Sequence, residues 1–373
     1  MIMPFLLLCG CSSAGGQSQI SEGRLYPGTL FAEEYLMDKA ISSDFGSVDS
    51  VGISLPTKSL SRWLQDGDRM QTQLLKAGIK VDLQYADNDV STQIEQIWNM
   101  IRSGCDVLII APISSDFSLD NVLSEAKKKN ITIIAYDRLI MDSDAVDYFV
   151  TYDFYRAGQM QAEHILEELD INHAGRPLNI EIFAGDPSDN NAEKVFKGAM
   201  DVLNPYIEDG KITVPSGQTT FDQTAIEAYK PENAQVRMEN LIHSFYKDGT
   251  PLDAVLCTHD TSALGVADAL SLIFKGGYPV ITGLDCDIIN VQNILAGKQS
   301  MSLFFDTIIS SDAAANMAVE ILSGKEPTTN DDVGYNNGKK IVGTYLCKPV
   351  KVDISNYKEI LIDSGYYTED ALS

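Results

Sequence analysis

The sequence predicts an α/β protein made of two doubly wound parallel-sheet domains. Three observations carry that expectation. Short apolar, largely β-branched runs alternate with stretches of helical spacing, the alternation starts afresh after about residue 150, and 373 residues are enough for two domains. Parallel neighbours need crossover connections, so the alternation puts helices on both faces of each sheet.

The elements follow in order. VGISLP, from Val51, is a short apolar strand, residues 60–77 carry helical spacing, and Gly78 ends that helix. KVDLQYA, DVLIIAP and ITIIAYD are the next strands, with helices at about 90–102 and 119–129 between them. VDYFVTYD is a further strand near residue 150. A long helix at about 154–169 opens the second run, which continues as LNIEIFAG, a helix after Asn190, KITVPSG, a helix at about 231–246, LDAVLCTHD, a helix from Ser262 and PVITGLD. Residues 288–295 are helical, QSMSLFFD is a strand, and 308–322 is helical again. The chain has no repeat of fixed period, which excludes a solenoid.

Open parallel sheets bind ligands beyond the carboxyl ends of their strands, and two such sheets side by side enclose a cleft between those edges. The run ITIIAYDRLI ends in Asp137 and Arg138. An acid beside a base suits a hydroxyl, because the carboxylate accepts its proton while the guanidinium donates to the oxygen, and the pair therefore reads as a sugar contact. A strand-end ion pair that only caps a loop fits the same two residues. The first strand leads to Lys58, Arg62 and Trp63; LNIEIFAG leads to Asp186, Asp189, Asn190 and Asn191; LDAVLCT ends at His259 and Asp260; PVITG ends at Asp285. Helix capping accounts for Asp189, Asn190 or Asp260 singly, but not for arginines at two strand ends. Sugar rings also present apolar faces, for which Trp63, Phe196, Tyr229 and Phe305 are the candidate rings, although aromatic side chains serve as core more often than as platform.

Composition narrows the function. With 53 acidic against 28 basic residues the formal charge is −25, which argues against nucleic acid and against attraction to an anionic membrane surface. No GxSxG elbow and no GxxxxGKS loop is present, which removes the common serine hydrolase and kinase readings. Glycoside hydrolysis needs one carboxyl with a raised pKa, whereas nearly every candidate acid here has an arginine or amide partner that keeps it ionised. Cys105, Cys257, Cys286 and Cys347 show no CxxC spacing and no histidine cluster, which argues against zinc; a Cys257–Cys286 bridge and buried thiols both fit, thiols better. No metal or other cofactor is expected.

At the amino terminus, residues 1–8 are nearly all apolar and too few to span a bilayer as a helix. Leu8, Cys9, Gly10 and Cys11 look like a bacterial lipobox with Cys11 as the lipid-modified residue, although Cys9 stands where a small residue is usual and no basic residue precedes the run. Residues 12–46 then read as a polar tether carrying one short helix.

PTKSLSRW, DLQYADND, QIEQIWNMI, IIAYDRLI, GDPSDNNA, AMDVLNPYI and LDAVL resemble, in order and spacing, the type I periplasmic sugar-binding proteins of ABC importers, in the xylose-binding and multiple-sugar-binding branch. The resemblance runs from about residue 47 to the end. It implies two lobes joined by a three-strand hinge: 47–151 with 307–338, and 155–304 with 342–373, crossing near 151–155, 304–307 and 338–342. It also implies that Arg62, Asp137, Arg138, Asp189, Asn191 and Asp285 hydrogen-bond the sugar. This chain departs from the pattern at Tyr229, where the family carries a stacking tryptophan, at His259, which is asparagine in xylose binders, and at Phe305, where relatives carry a lysine. The expectation is therefore a monomeric, non-enzymatic, lipid-anchored extracytoplasmic receptor. It would deliver an aldopentose or aldohexose to an ABC permease. A sugar-sensing module for a chemoreceptor or sensor kinase, and a sugar-acting enzyme, are the alternatives. A transcription repressor core shares the fold, but the Cys11 leader stands where its DNA-binding helices would be.

Overall fold

The computed structural model describes residues 48–59, 61–114, 117–187, 189–247 and 249–372. The expected lipobox at Cys11 and the tether at 12–46 lie outside the described residues.

β1 (Ser50–Leu55) lies between β3 (Val107–Ile110) and β2 (Lys80–Tyr85); β4 (Thr132–Tyr136), β5 (Tyr148–Tyr152) and β11 (Gly343–Cys347) extend the sheet beyond β3, giving six parallel strands. Side chains alternate between faces, and both faces are covered. Val51, Ile53, Val107, Ile109 and Ile134 join one core with Met70 and Leu74 of α1 (Ser61–Lys76) and Ala314 and Ala318 of α10 (Thr307–Leu322). Leu108, Ile110 and Ile133 join a second with Ile97 and Met100 of α2 (Val90–Ser103) and Val122 and Leu123 of α3 (Asp120–Lys128). α2 has clear boundaries: the Asp89 carboxylate accepts from Thr92 N at 2.6 Å, and Gly104 closes it at φ 84°.

A second parallel sheet has the order β7 (Ile212–Thr213), β6 (Leu178–Phe183), β8 (Ala254–Cys257), β9 (Val280–Ile281). α4 (Phe154–Glu168) and α5 (Asn190–Glu208) pack closely because Gly158 and Gly198 let each backbone touch the other; a Cβ at either would collide with the carbonyl of Val195 or Tyr155. α6 (Phe221–Thr224), α7 (Pro231–Phe245), α8 (Asp260–Ile273) and α9 (Ile288–Leu295) complete this half. β10 (Met301–Phe304) pairs antiparallel with β12 (Val350–Asp353) beside it, tied to the sheet through the Leu284–Leu303 bridge.

The chain leaves the first sheet between β5 and α4 and returns between β10 and α10. The expected third crossing near 338–342 is corrected: residues 343–347 form β11, whose Gly343–Cys347 pair in register with Tyr148–Tyr152, so the chain leaves the first sheet only after Cys347. Edge pairing with β5 holds that strand in the first half, and only from Val350 does the tail join the second. Cys105, Cys257, Cys286 and Cys347 are all buried free thiols, so Cys257 and Cys286 are not bridged. Among the described residues, no helix is long and apolar enough to cross a membrane.

Candidate functional site

In the first lobe the site is assembled from the turn after β1 and the end of β4. Arg62 lies in the first turn of α1, where its NH2 donates to Asp137 Oδ1 at 3.0 Å and to Asp66 Oδ2 at 3.2 Å. Its guanidinium lies 4.2 Å from the centre of the Trp63 ring. Trp63 itself is 2% exposed and belongs to the core, so it is the floor beneath Arg62 and not the open platform expected. Burial alone would lower the Arg62 pKa, but the Asp137 and Asp66 carboxylates outweigh it and raise it well above the ordinary value. Arg62 Nε is buried and has no hydrogen-bond partner among the described residues.

Asp137 is fixed by its backbone. Its N–H donates to Val150 O at 2.8 Å, its carbonyl accepts from Thr151 Oγ1 at 3.0 Å, and its φ of 63° is left-handed, which a short polar side chain tolerates. That geometry turns the carboxylate out of the sheet edge toward Arg62. Arg138 stands at the rim, 47% exposed, with Nε 3.9 Å from Asp137 Oδ2 and NH1 at 3.4 Å from Ile113 O.

The second lobe contributes three strand ends. Asp189 caps α5 by accepting from Asn191 N at 2.8 Å, and its other oxygen accepts from the Tyr229 hydroxyl at 2.7 Å. The capping explanation for Asp189 and the site explanation therefore hold together. Burial, then the Asp189 charge, push the Tyr229 phenol far up, so it stays a donor. Tyr229 and Ala228 both take positive φ, 50° and 57°, and the Asp186 carboxylate accepts from Ala228 N; this strained corner carries the Tyr229 ring to 4.6 Å from the His259 ring, edge to face. Gly185 makes room for it: a Cβ there would stand 3.0 Å from the Tyr229 ring. His259 Nδ1 is 3.5 Å from Asp285 Oδ2, while His259 Nε2 is buried without a partner among the described residues. Asp285 and Cys286 form a second strained corner, at φ 110° and 54°, held by Asp285 N donating to Leu303 O and Cys286 N to Ser302 Oγ.

Between the lobes, Phe305 stacks on Tyr152 at 4.1 Å and 8°, and meets Phe154 edge-on at 5.1 Å, so it lines the hinge. Phe196 is corrected: it is 9% exposed, packs in the second-lobe core and meets Phe221 at 5.6 Å, because its place on α5 faces the sheet. The structure thus brings Arg62, Asp137 and Arg138 to one edge, and Asp189, Asn191, Tyr229, His259 and Asp285 to the other.

Two groups escaped the sequence reading. Asp66 is fully buried behind Arg62, and its i, i+4 spacing from Arg62 was a usable signal that also fits an ordinary surface pair. Lys194, one turn beyond Asn191, places its ammonium 3.5 Å from the centre of the Tyr335 ring, which packs on Phe149 of β5 and so belongs to the opposite lobe.

The two edges carry fixed donors and fixed acceptors: Arg62 with Asp137 on one, and Tyr229 and His259 with Asp189 and Asp285 on the other. Residues 51–326 match the periplasmic binding protein domain. This chain belongs to the periplasmic binding protein family. Within it, the chain is similar to the multiple sugar-binding periplasmic protein SbpA of Azospirillum brasilense, 42% identical over 86% of this chain and 90% of that protein. It is also similar to the D-xylose-binding periplasmic protein of Escherichia coli K12, 35% identical over 86% and 92% respectively. Among solved structures, an ABC transporter solute-binding protein from Clostridium phytofermentans with bound β-D-glucose is 54% identical, with a TM-score of 0.76 over 87% of this chain and all of that one. A carbohydrate transporter solute-binding protein from Chloroflexus aurantiacus in complex with D-glucose is 31% identical, with a TM-score of 0.71 over 87% and 98%. The fold is the two-domain α/β fold of the type I periplasmic binding proteins, and these relatives are binding proteins, not enzymes.

Proposed function

We propose that this protein captures one monosaccharide, an aldohexose or aldopentose in ring form, between its two lobes and passes it to an ABC permease. The observation that carries this reading is the pairing of Arg62 with Asp137 on one edge against Asp189, Tyr229, His259 and Asp285 on the other, with Arg62 Nε and His259 Nε2 left without partners among the described residues. A hydroxyl both donates and accepts, so it meets acids and bases at once, and buried polar atoms without partners call for such a group. The glucose-bound relative at 54% identity supports the same ligand class.

Capture follows from the hinge. A sugar that touches both edges gains contacts only when they meet, so it raises the population of the closed form by its differential affinity for that form. Tyr229 offers a ring and a donor, and Phe305, on the hinge, supplies an apolar face without an ammonium, favouring neutral sugars over acidic ones. The site holds its acids in donor-rich surroundings, which suits binding and not proton transfer to a leaving group. The proposal includes an extracytoplasmic location with a lipid on Cys11, which the lipobox-like run Leu8, Cys9, Gly10 and Cys11 supports, and a sensing role is the second reading because it needs the same residues.

A thermal-shift screen against common pentoses, hexoses and sugar acids, with product analysis of the same mixtures, tests the proposal. Stabilisation by neutral aldoses without turnover is the expected result. Turnover, or no shift with any sugar, refutes it.

A further inference from the structure

Asp66 lies behind the sugar edge, sealed from solvent at 0% exposure, yet it contacts a site residue directly: Arg62 NH2 donates to it at 3.2 Å. Titratable and polar groups face it from three neighbouring segments. From the end of β4 comes Tyr136 and just beyond it Asp137, from α10 the hydroxyls of Ser310 and Ser311, and from β2 Tyr85; Arg62 is on its own helix. Ser311 Oγ reaches Asp66 Oδ1 at 3.4 Å, and the Tyr136 hydroxyl, 2.8 Å from Ser310 Oγ, also hydrogen-bonds Asp66 and lowers its carboxyl. Asp312, one residue further on α10, is already taken by Arg69 and Gln73. Arg62 is the cation that donates to Asp66 and pulls its carboxyl down.

We propose that Asp66 is a positioning residue for Arg62, and that its protonation releases the guanidinium toward Asp137 and weakens sugar capture. The inference rests on the sugar reading of the cleft. While Asp66 is ionised, Arg62 is held between two carboxylates and stacked on Trp63, which leaves Asp137 Oδ2 open to a hydroxyl. Once Asp66 is neutral, Asp137 is the anion that still holds Arg62, and the guanidinium competes with the sugar for both of its oxygens. Burial raises the Asp66 carboxyl to about 6 against the lowering pull of Arg62, with the Asp137 charge adding to the rise, so the release falls within mildly acidic conditions.

The test is D-glucose affinity by titration calorimetry at pH 5 to 8 for the wild type, Asp66→Asn and Asp287→Asn. Asp287 is the competing titratable group, because desolvation and the Asp285 charge push it to about 6 as well, against the lowering pull of His259, beside the second-lobe edge. The wild type is expected to lose about five- to tenfold in affinity from pH 7.5 to 5, the size of one weakened charge-assisted contact. Asp66→Asn is expected to bind more weakly at pH 7.5 with a flat profile, and Asp287→Asn to keep the wild-type profile. A flat wild-type profile, or one flattened by Asp287→Asn and not by Asp66→Asn, overturns the assignment. If Asp66→Asn does not fold, a pH slope kept in Asp287→Asn supports the assignment and a slope lost in it overturns the assignment. Absence of binding to any aldose at any pH sinks the sugar reading itself.

Discussion

Replacing Asp137 by asparagine removes a charge from the first-lobe edge while keeping shape and backbone. Asparagine tolerates the φ of 63° at this position, whereas alanine would add about 1 kcal/mol of left-handed strain and blur the result. The substitution turns the 3.0 Å ion-paired contact with Arg62 into a neutral one and takes one anionic acceptor from the sugar. A hydrogen bond to a charged group is worth about 1.5–3 kcal/mol, so affinity should fall about 10- to 100-fold. Folding stability should fall by about 1–2 kcal/mol, because the carboxylate removed is 12% exposed while its Arg62 partner is 36% exposed, so solvent screens only part of the contact. Titration calorimetry with D-glucose at pH 7.5, beside urea unfolding, separates the two effects. An affinity within twofold of the wild type would remove Asp137 from the sugar contacts.

Other outcomes follow from the same geometry. Tyr229→Phe deletes the 2.7 Å bond to Asp189 and should weaken glucose binding about five-fold while keeping the ring; unchanged binding would make that bond purely structural. Gly185→Ala would put a Cβ 2.7 Å from Ala192 Cβ and 3.0 Å from the Tyr229 ring, so urea unfolding should report a loss of about 1–3 kcal/mol together with weaker binding, and a neutral result would contradict the close approach. Asp66, near 6 in the fold against about 3.9 unfolded, makes the native state bind the extra proton between those values. Its contribution is therefore most favourable below about pH 4 and declines by about 2–3 kcal/mol as pH rises through 6. Urea unfolding from pH 4 to 7 should show that slope in the wild type and lose it in Asp66→Asn.

The parallel-sheet architecture was legible because β-branched runs buried on both faces leave no polar alternation, as in VLII of β3 and AVLC of β8. Strand ends were legible too: a charge directly after such a run has to lie at the sheet edge, which located Asp137 and Asp285. What a side chain does beyond its own element was not. Trp63 and Phe196 are aromatic residues beside site residues, and only the packing of distant strands decides that one becomes a floor and the other core. β11 escaped because its partner, β5, lies far upstream and its burial is mixed, so nothing local assigns it to the first sheet. Resemblance supplied the hinge, and the register of β11 moved its last crossing.

The central claim is that one neutral aldose is held between Arg62 and Asp137 on one lobe and Asp189 and His259 on the other. Calorimetric titration of D-glucose into the wild type and into the double variant Asp137→Asn, Asp189→Asn tests it most directly. A saturable isotherm with one site per chain in the wild type, lost in the folded double variant, is the expected result. An isotherm that survives both substitutions unchanged would place the sugar elsewhere and contradict the account.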